Sequence, residues 1–321
     1  MLHSPFFSLL KQSRCSFSSL LVFFLFAIGC LCASCRPEPE VKAKEVEVSI
    51  AFEDFEVTYQ EDSSNKSNPQ KVSNKDATQA QIDRISLAIF NTAGQLAFSD
   101  ILDIENNPDI PLLISCMLLP GDYTFVAVAH QTAEPTDAAA VISSPTQATI
   151  TTSKCLRVYT YSQTVTILAD QPNSVVVDFG KRVSSTVQFS STDVTPEEVY
   201  SCELIINSSK SESSAFIFNP TTGFASSAYQ YKAVHLKSNY EGTFQNAIMN
   251  VHFLLTENPE SVDLTVNMMD ASGAIVRTRT FSNIEAAPHR CTRLTGSFFH
   301  SSVESSFIFD TVDDPRVDLS F

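Results

Sequence analysis

The side chains that could do chemistry are eight cysteines, six histidines and a run of acids near the C-terminus. One cysteine stands out by its surroundings. Lys11 and Arg14 precede an unbroken apolar run, Leu20 to Ile28, and small residues follow it. A positive flank, a short apolar core and a small-residue exit form a secretory signal peptide. The run falls short of the roughly 20 apolar residues that a bilayer-spanning helix needs. In Cys32-Ala33-Ser34-Cys35 the exit has the pattern of a bacterial lipobox, in which cleavage just before a cysteine exposes a thiol that takes lipid. The lipidated residue is placed at Cys35, with Cys30, after Ala27-Ile28-Gly29, as the second choice. An ordinary cleaved signal with no lipid is the alternative. Residues 1–34 then contribute nothing to the fold, and residues 35–45, with Arg36-Pro37-Glu38-Pro39-Glu40, form a stiff, solvated tether.

Four cysteines remain: Cys116, Cys155, Cys202 and Cys291. In an exported chain they could pair, and the pairing within each half of the chain would be Cys116–Cys155 and Cys202–Cys291. Buried free thiols are the alternative, since sequence fixes no distances. His130, His235, His252, His289 and His300 are dispersed without zinc-ligand spacing, and Cys291 two residues after His289 is an isolated pair. His252 occupies the polar parity of an alternating strand and is expected to face solvent. Asp310, Asp313, Asp314 and Asp318 lack the spacing and turn glycine of a calcium loop and read as a solvated acidic tail. Asp310-Thr311-Val312 also fits a short O-glycosylation pattern. There is no Gly-x-Ser-x-Gly elbow and no glycine-rich phosphate loop. No enzyme, metal or cofactor is expected.

Composition narrows the partners. The formal charge is −15, and removing Lys11 and Arg14 with the signal leaves −17. Such a chain lacks the basic patch that phosphate neutralisation requires, so no nucleic acid is expected. Its own surface would not hold it on anionic lipid; several acyl chains would.

The elements that position these residues are strands. Val46, Val48, Ile50 and Phe52 alternate with polar residues, and Phe55, Val57 and Tyr59 continue on the other parity, which marks a bulge near Asp54 or a second strand. Residues 61–81 are polar and non-periodic and read as a long loop. Ile85, Leu87 and Ile89 alternate, Asn91-Thr92-Ala93-Gly94 turns, and Leu96 and Phe98 return. Pro120-Gly121-Asp122 turns into Tyr123–Ala129, a strand apolar on both faces. Thr149–Thr152, Leu156–Tyr161, Val165–Leu168 and Val175–Phe179 complete a first block. A boundary at Gly180-Lys181-Arg182 gives two domains, 46–180 and 181–321. In the second, Pro196 could open one helical turn. Strands follow at Leu204 and Ile206, Phe216–Phe218, Met249–Leu255, Val262–Met268, Leu294–Phe298 and Phe307–Phe309. Residues 85–96 and 264–275 share one pattern: alternating strand, Asn or Asp, two residues, Gly, return strand. The fold class is all-β, with two related β-sandwiches in tandem.

Three segments carry a family resemblance: Arg84–Gly94, Leu119-Pro-Gly-Asp-Tyr-Thr-Phe-Val-Ala127 and Arg293-Leu-Thr-Gly-Ser-Phe-Phe299. With the lipobox, they make the chain resemble the fimbrillin-like proteins of Bacteroidales, in particular the lipoprotein subunits that anchor a fimbrium. The charged tether likewise resembles the stretch that sends lipoproteins to the outer face of the outer membrane. The resemblance implies transthyretin-like sandwiches and fimbrial subunits as partners, joined by strand exchange. In shaft subunits an arginine-specific protease removes the first strand. Between Arg36 and Arg84 this chain has no arginine, only lysines such as Lys66, Lys71 and Lys75, which points to an uncleaved anchor. The elements implied for assembly are Val46 to Tyr59 and Ser305 to Phe321. A surface glycan-binding lipoprotein of a polysaccharide-uptake system is the other reading, with Tyr229, Tyr231 and Tyr240 as sugar platforms.

Overall fold

A computed structural model describes residues 44–53, 82–104, 111–134, 136–179, 182–288 and 290–299, together with the backbone of 308–313. The signal, residues 35–43 of the tether, the proposed bulge, the 61–81 loop and the boundary residues Gly180 and Lys181 lie outside them. The described chain is all-β. In its first half the strands are β1 (Val46–Glu53), β2 (Arg84–Asn91), β3 (Leu96–Asp103), β4 (Leu113–Leu118), β5 (Gly121–His130), β6 (Val141–Ser144), β7 (Gln147–Thr151), β8 (Val158–Ile167) and β9 (Asn173–Asp178). The second half has β10 (Ser184–Ser191), β11 (Ser201–Ile206), β12 (Ala215–Phe218), β13 (Tyr231–Leu236), β14 (Met249–Leu254), β15 (Glu260–Met269), β16 (Ile275–Ala286), β17 (Arg290–Gly296) and β18 (Ile308–Asp313).

Each half is a sandwich of two sheets. In the first, β4-β1-β9 faces β3-β2-β5-β8. Val48, Ile50 and Phe52 of β1 point inward against Ile85, Leu87 and Ile89 of β2, Phe125 of β5 and Val175 and Val177 of β9. In the second, β14-β10-β17-β18 faces β13-β11-β15-β16 around Val187, Phe189, Leu204, Val251, Leu264 and Leu294.

The two halves share one connectivity. β1 is antiparallel to β4 and parallel to β9; β10 is antiparallel to β14 and parallel to β17. The order β3-β2-β5-β8 maps onto β13-β11-β15-β16 strand by strand in chain order, with every pair antiparallel. The echo between residues 85–96 and 264–275 is therefore not the equivalence. It joins hairpin β2–β3 to hairpin β15–β16, whereas the strand order matches β2–β3 to β11–β13. What the echoing segments share is a turn. The Asn91 side-chain oxygen accepts from the N–H groups of Ala93 and Gln95, and that of Asp270 from those of Ser272 and Ala274. Gly94 and Gly273 supply the positive φ that closes each turn.

Four strands fall outside this repeat. The hairpin β6–β7, inserted before β8, and β12, inserted after β11, form a third sheet, β12-β7-β6. Phe216 of β12 pairs with Ile150 of β7, so this sheet ties the halves together. Ala148, Ile150, Cys155 and Val158 accordingly belong to the second core. The last addition is β18, paired antiparallel with β17.

Several local expectations change. The segments expected at Leu156–Tyr161 and Val165–Leu168 merge into one strand, β8, which runs only from Val158 to Ile167, and Phe298 lies beyond the end of β17. The Pro196 segment makes a hydrogen-bonded turn, Val199 N–H to Pro196 C=O, with no helix. His252 is buried, not solvent-facing. Its face of the sheet is roofed by residues distant in sequence, including Arg157 and Arg182, whose charges press on the imidazole.

Candidate functional site

The features that could join this chain to a partner are its first strand, the arginine that could release that strand, and its open sheet edges. β1 is the central strand of its sheet, hydrogen-bonded to β4 on one side and β9 on the other. Its inward residues are almost wholly buried, and Phe52 stacks on Phe179 at 6.1 Å. Withdrawing β1 would leave a groove between β4 and β9 with two unpaired ladders and an apolar floor.

Arg84 is held within the fold. It is 5% exposed and lies on β2, which is bonded to β3 and β5. Its guanidinium donates to Asp103 at 2.7 Å and to the Asp83 carbonyl at 3.1 Å. The Arg84–Ile85 bond therefore lies at the start of a strand paired on both sides, with both its residues buried, a conformation that a protease cleft does not accept without opening the strand.

Opposite Arg84 in the ladder, His130 is buried, with Nδ1 3.2 Å from the Gln131 carbonyl and Nε2 without a partner. Burial, aided by the Arg84 charge, pushes its pKa down to about 4. His235 lies between Tyr240 Oη at 2.7 Å and the Asn250 carbonyl at 2.9 Å, and His252 Nδ1 is 2.8 Å from Thr186 Oγ1. Burial lowers the pKa of both. These are neutral imidazoles built into the polar seams of the sandwiches.

Cys35 and Cys30 lie outside the described residues. Cys116 faces the first core from β4, while Cys155 and Cys202 face the second core, so Cys116 and Cys155 line different cores. Cys116, Cys155 and Cys202 are free thiols, and Cys291 is buried on β17. Burial raises the Cys116 thiol to about 11 and the Cys155 thiol to about 12, and lifts Cys202 further. Among the described residues no cluster of three His, Cys, Asp or Glu side chains could hold a metal ion. The side chains of Asp310 and Asp313 and the residues Asp314 and Asp318 are outside the description.

The tyrosines considered as sugar platforms pack into the second sandwich. Tyr231 is 2% exposed and stacks on Phe216 at 5.1 Å, and Tyr229 meets the same ring edge-on at 5.5 Å. Tyr240 lies against Phe244. Tyr229 and Tyr240 are half-buried against the second core. Sequence reasoning found β12 as the strand Phe216–Phe218 but not its pairing with β7, and it missed β6, a short segment whose apolar side chains are Val141 and Ile142 alone.

No family model and no curated protein matches the sequence. Solved structures with a similar chain path include a Bacteroides thetaiotaomicron protein provisionally assigned to polysaccharide binding, at 11% identity and TM-score 0.48, over 84% of this chain and 98% of that one. Two more are a fimbrial anchor protein of Porphyromonas gingivalis, at 12% identity and TM-score 0.44 over 84% and 98%, and a fimbrial assembly protein of Parabacteroides distasonis, at 12% and 0.45 over 84% and 97%.

Proposed function

We propose that the chain is a cell-surface lipoprotein of the outer membrane, tethered through a lipid on Cys35, that holds the subunits of a fimbrium by β-strand addition. The observation that carries this reading is the burial of Arg84 in a central strand. A chain that cannot be cut there keeps its first strand, and with it the covalent link to the tether. It offers partners its remaining sheet edges, whose unpaired backbone groups a donated strand satisfies. In this reading residues 1–34 are the signal, 35–45 the tether, and 46–180 and 181–321 the two domains, and the C-terminal segment from Ser305 takes part in assembly. The role is structural, with no small-molecule substrate.

The test is an affinity pull-down of the tagged native chain from gently solubilised outer membranes, read by mass spectrometry for partners and for the N-terminus of the bait. Fimbrial subunits together with a lipidated Cys35 peptide are expected. A mature form beginning at Ile85 would make the chain a polymerising subunit, and recovery of a sugar transporter complex would favour glycan uptake.

A further inference from the structure

Sheet β12-β7-β6 ends at β6, which has a neighbour on one side only among the described residues. Ile142 packs on Ala88, Phe90 and Val126, so β6 lies against the outer face of the β3-β2-β5-β8 sheet. Beside it opens a cleft of about 450 Å³, lined by Ser86 and Ala88 of β2, Leu96 and Ile101 of β3, and Val141 and Ile142 of β6. Leu96, Ile101 and Val141 are 56%, 54% and 61% exposed, three large apolar side chains left in water around one cleft. Ser86 is 3% exposed, and its hydroxyl has no hydrogen-bond partner. A buried hydroxyl without a partner is uncommon in a folded chain.

We propose that this cleft accepts an extended polypeptide strand of a partner subunit, added to the free edge of β6. Alternate apolar side chains of that strand would seat on Leu96, Ile101 and Val141, and a polar group of it would meet Ser86. The terminal strand argues for a polypeptide, since its outward N–H and C=O groups are matched by another backbone. The lining argues against a sugar, because the cleft presents no aromatic ring. Asp100 at the same cleft favours a strand flanked by a basic residue. The inference rests on the strand-addition reading and names an edge that serves it.

The test places a benzophenone side chain at position 141, 176 or 275 of the full chain in its own outer membrane. Val176 lies on β9, the edge of the other sheet, and Ile275 is an exposed position on β16. Illumination at 141 should give an adduct to a fimbrial subunit, mapped by mass spectrometry to a segment with alternating apolar residues, and position 275 should give none. Ile101→Glu and Leu96→Glu, both on the surface, should each reduce that adduct at least tenfold at unchanged Tm. An adduct at 176 with none at 141 overturns the cleft and leaves strand addition standing. Absence of any protein adduct at both 141 and 176 overturns both. A glycan adduct at 141, or a yield unmoved by the two glutamate variants, overturns the cleft.

Discussion

Protonating His130 would place a cation beside the Arg84 guanidinium, in a site whose burial already favours the neutral ring. In the unfolded chain this histidine titrates near 6.5, and in the folded chain near 4. Between those values the unfolded state binds the extra proton, so stability is complete above about pH 6.5 and falls as the pH drops toward 4. The loss from this residue approaches about 3 kcal/mol, and His235 and His252 act in the same direction. Urea midpoints at pH 7.5 and 4.5 should therefore differ, and His130→Gln should flatten the slope; a chain more stable at pH 4.5 would refute this. Arg84 invites a second measurement. An arginine-specific protease should leave the Arg84–Ile85 bond intact in native protein and cut it once urea opens β2. Gly223 offers a third. Its φ of +80° disfavours any other residue, and an added Cβ would stand 2.6 Å from Val183 Cγ1. Gly223→Ala is expected to cost about 2 kcal/mol or more. Calorimetry should also show that Val183→Ala recovers part of that loss, the part due to the clash.

Among the elements, β12 has the largest consequence for its length. Phe216, wholly inside, joins the Tyr229 and Tyr231 rings while its backbone pairs with β7. Phe216→Ala should cost about 3–5 kcal/mol. Because β7 belongs to the first half by sequence, hydrogen exchange should rise at Ala148–Thr151 as well as within the second half. Alternation made β1, β14 and β15 legible, because each has one face toward a core and the rule of two applies directly. The same rule misplaced His252, since the polar parity of β14 is roofed by residues nearly a hundred positions away. The Asn91 and Asp270 turns were legible for what they are, local hydrogen-bonding devices, and misleading as a sign of common descent. Equivalence between the halves lies in strand order, which no residue pattern records. β12 was legible as a strand but its pairing was not, because its partner β7 lies far back in the chain, and β6 went unread because it is only four residues long.

For the whole molecule, the shared sheet decides how the halves behave apart. Residues 44–179 alone would expose Ile150 and Val158, which are buried in the second core, and residues 182–321 alone would leave β12 without β7. Neither piece is expected to fold by itself, whereas the two expressed together should associate and recover native-like near-ultraviolet circular dichroism. Two independently folded pieces would show that the bridging sheet is dispensable. The place where the chain enters this body has a mechanical meaning. Residues before Val46 connect to the fold through β1, which pairs with β4 over Val46–Ala51 and with β9 over Val48–Glu53. A pull along that strand loads both ladders in shear, so their hydrogen bonds bear the tension together instead of parting one after another. The N-terminal entry into the fold is then built to bear load, and force applied there would be met by two ladders at once before any part of the sandwich parted.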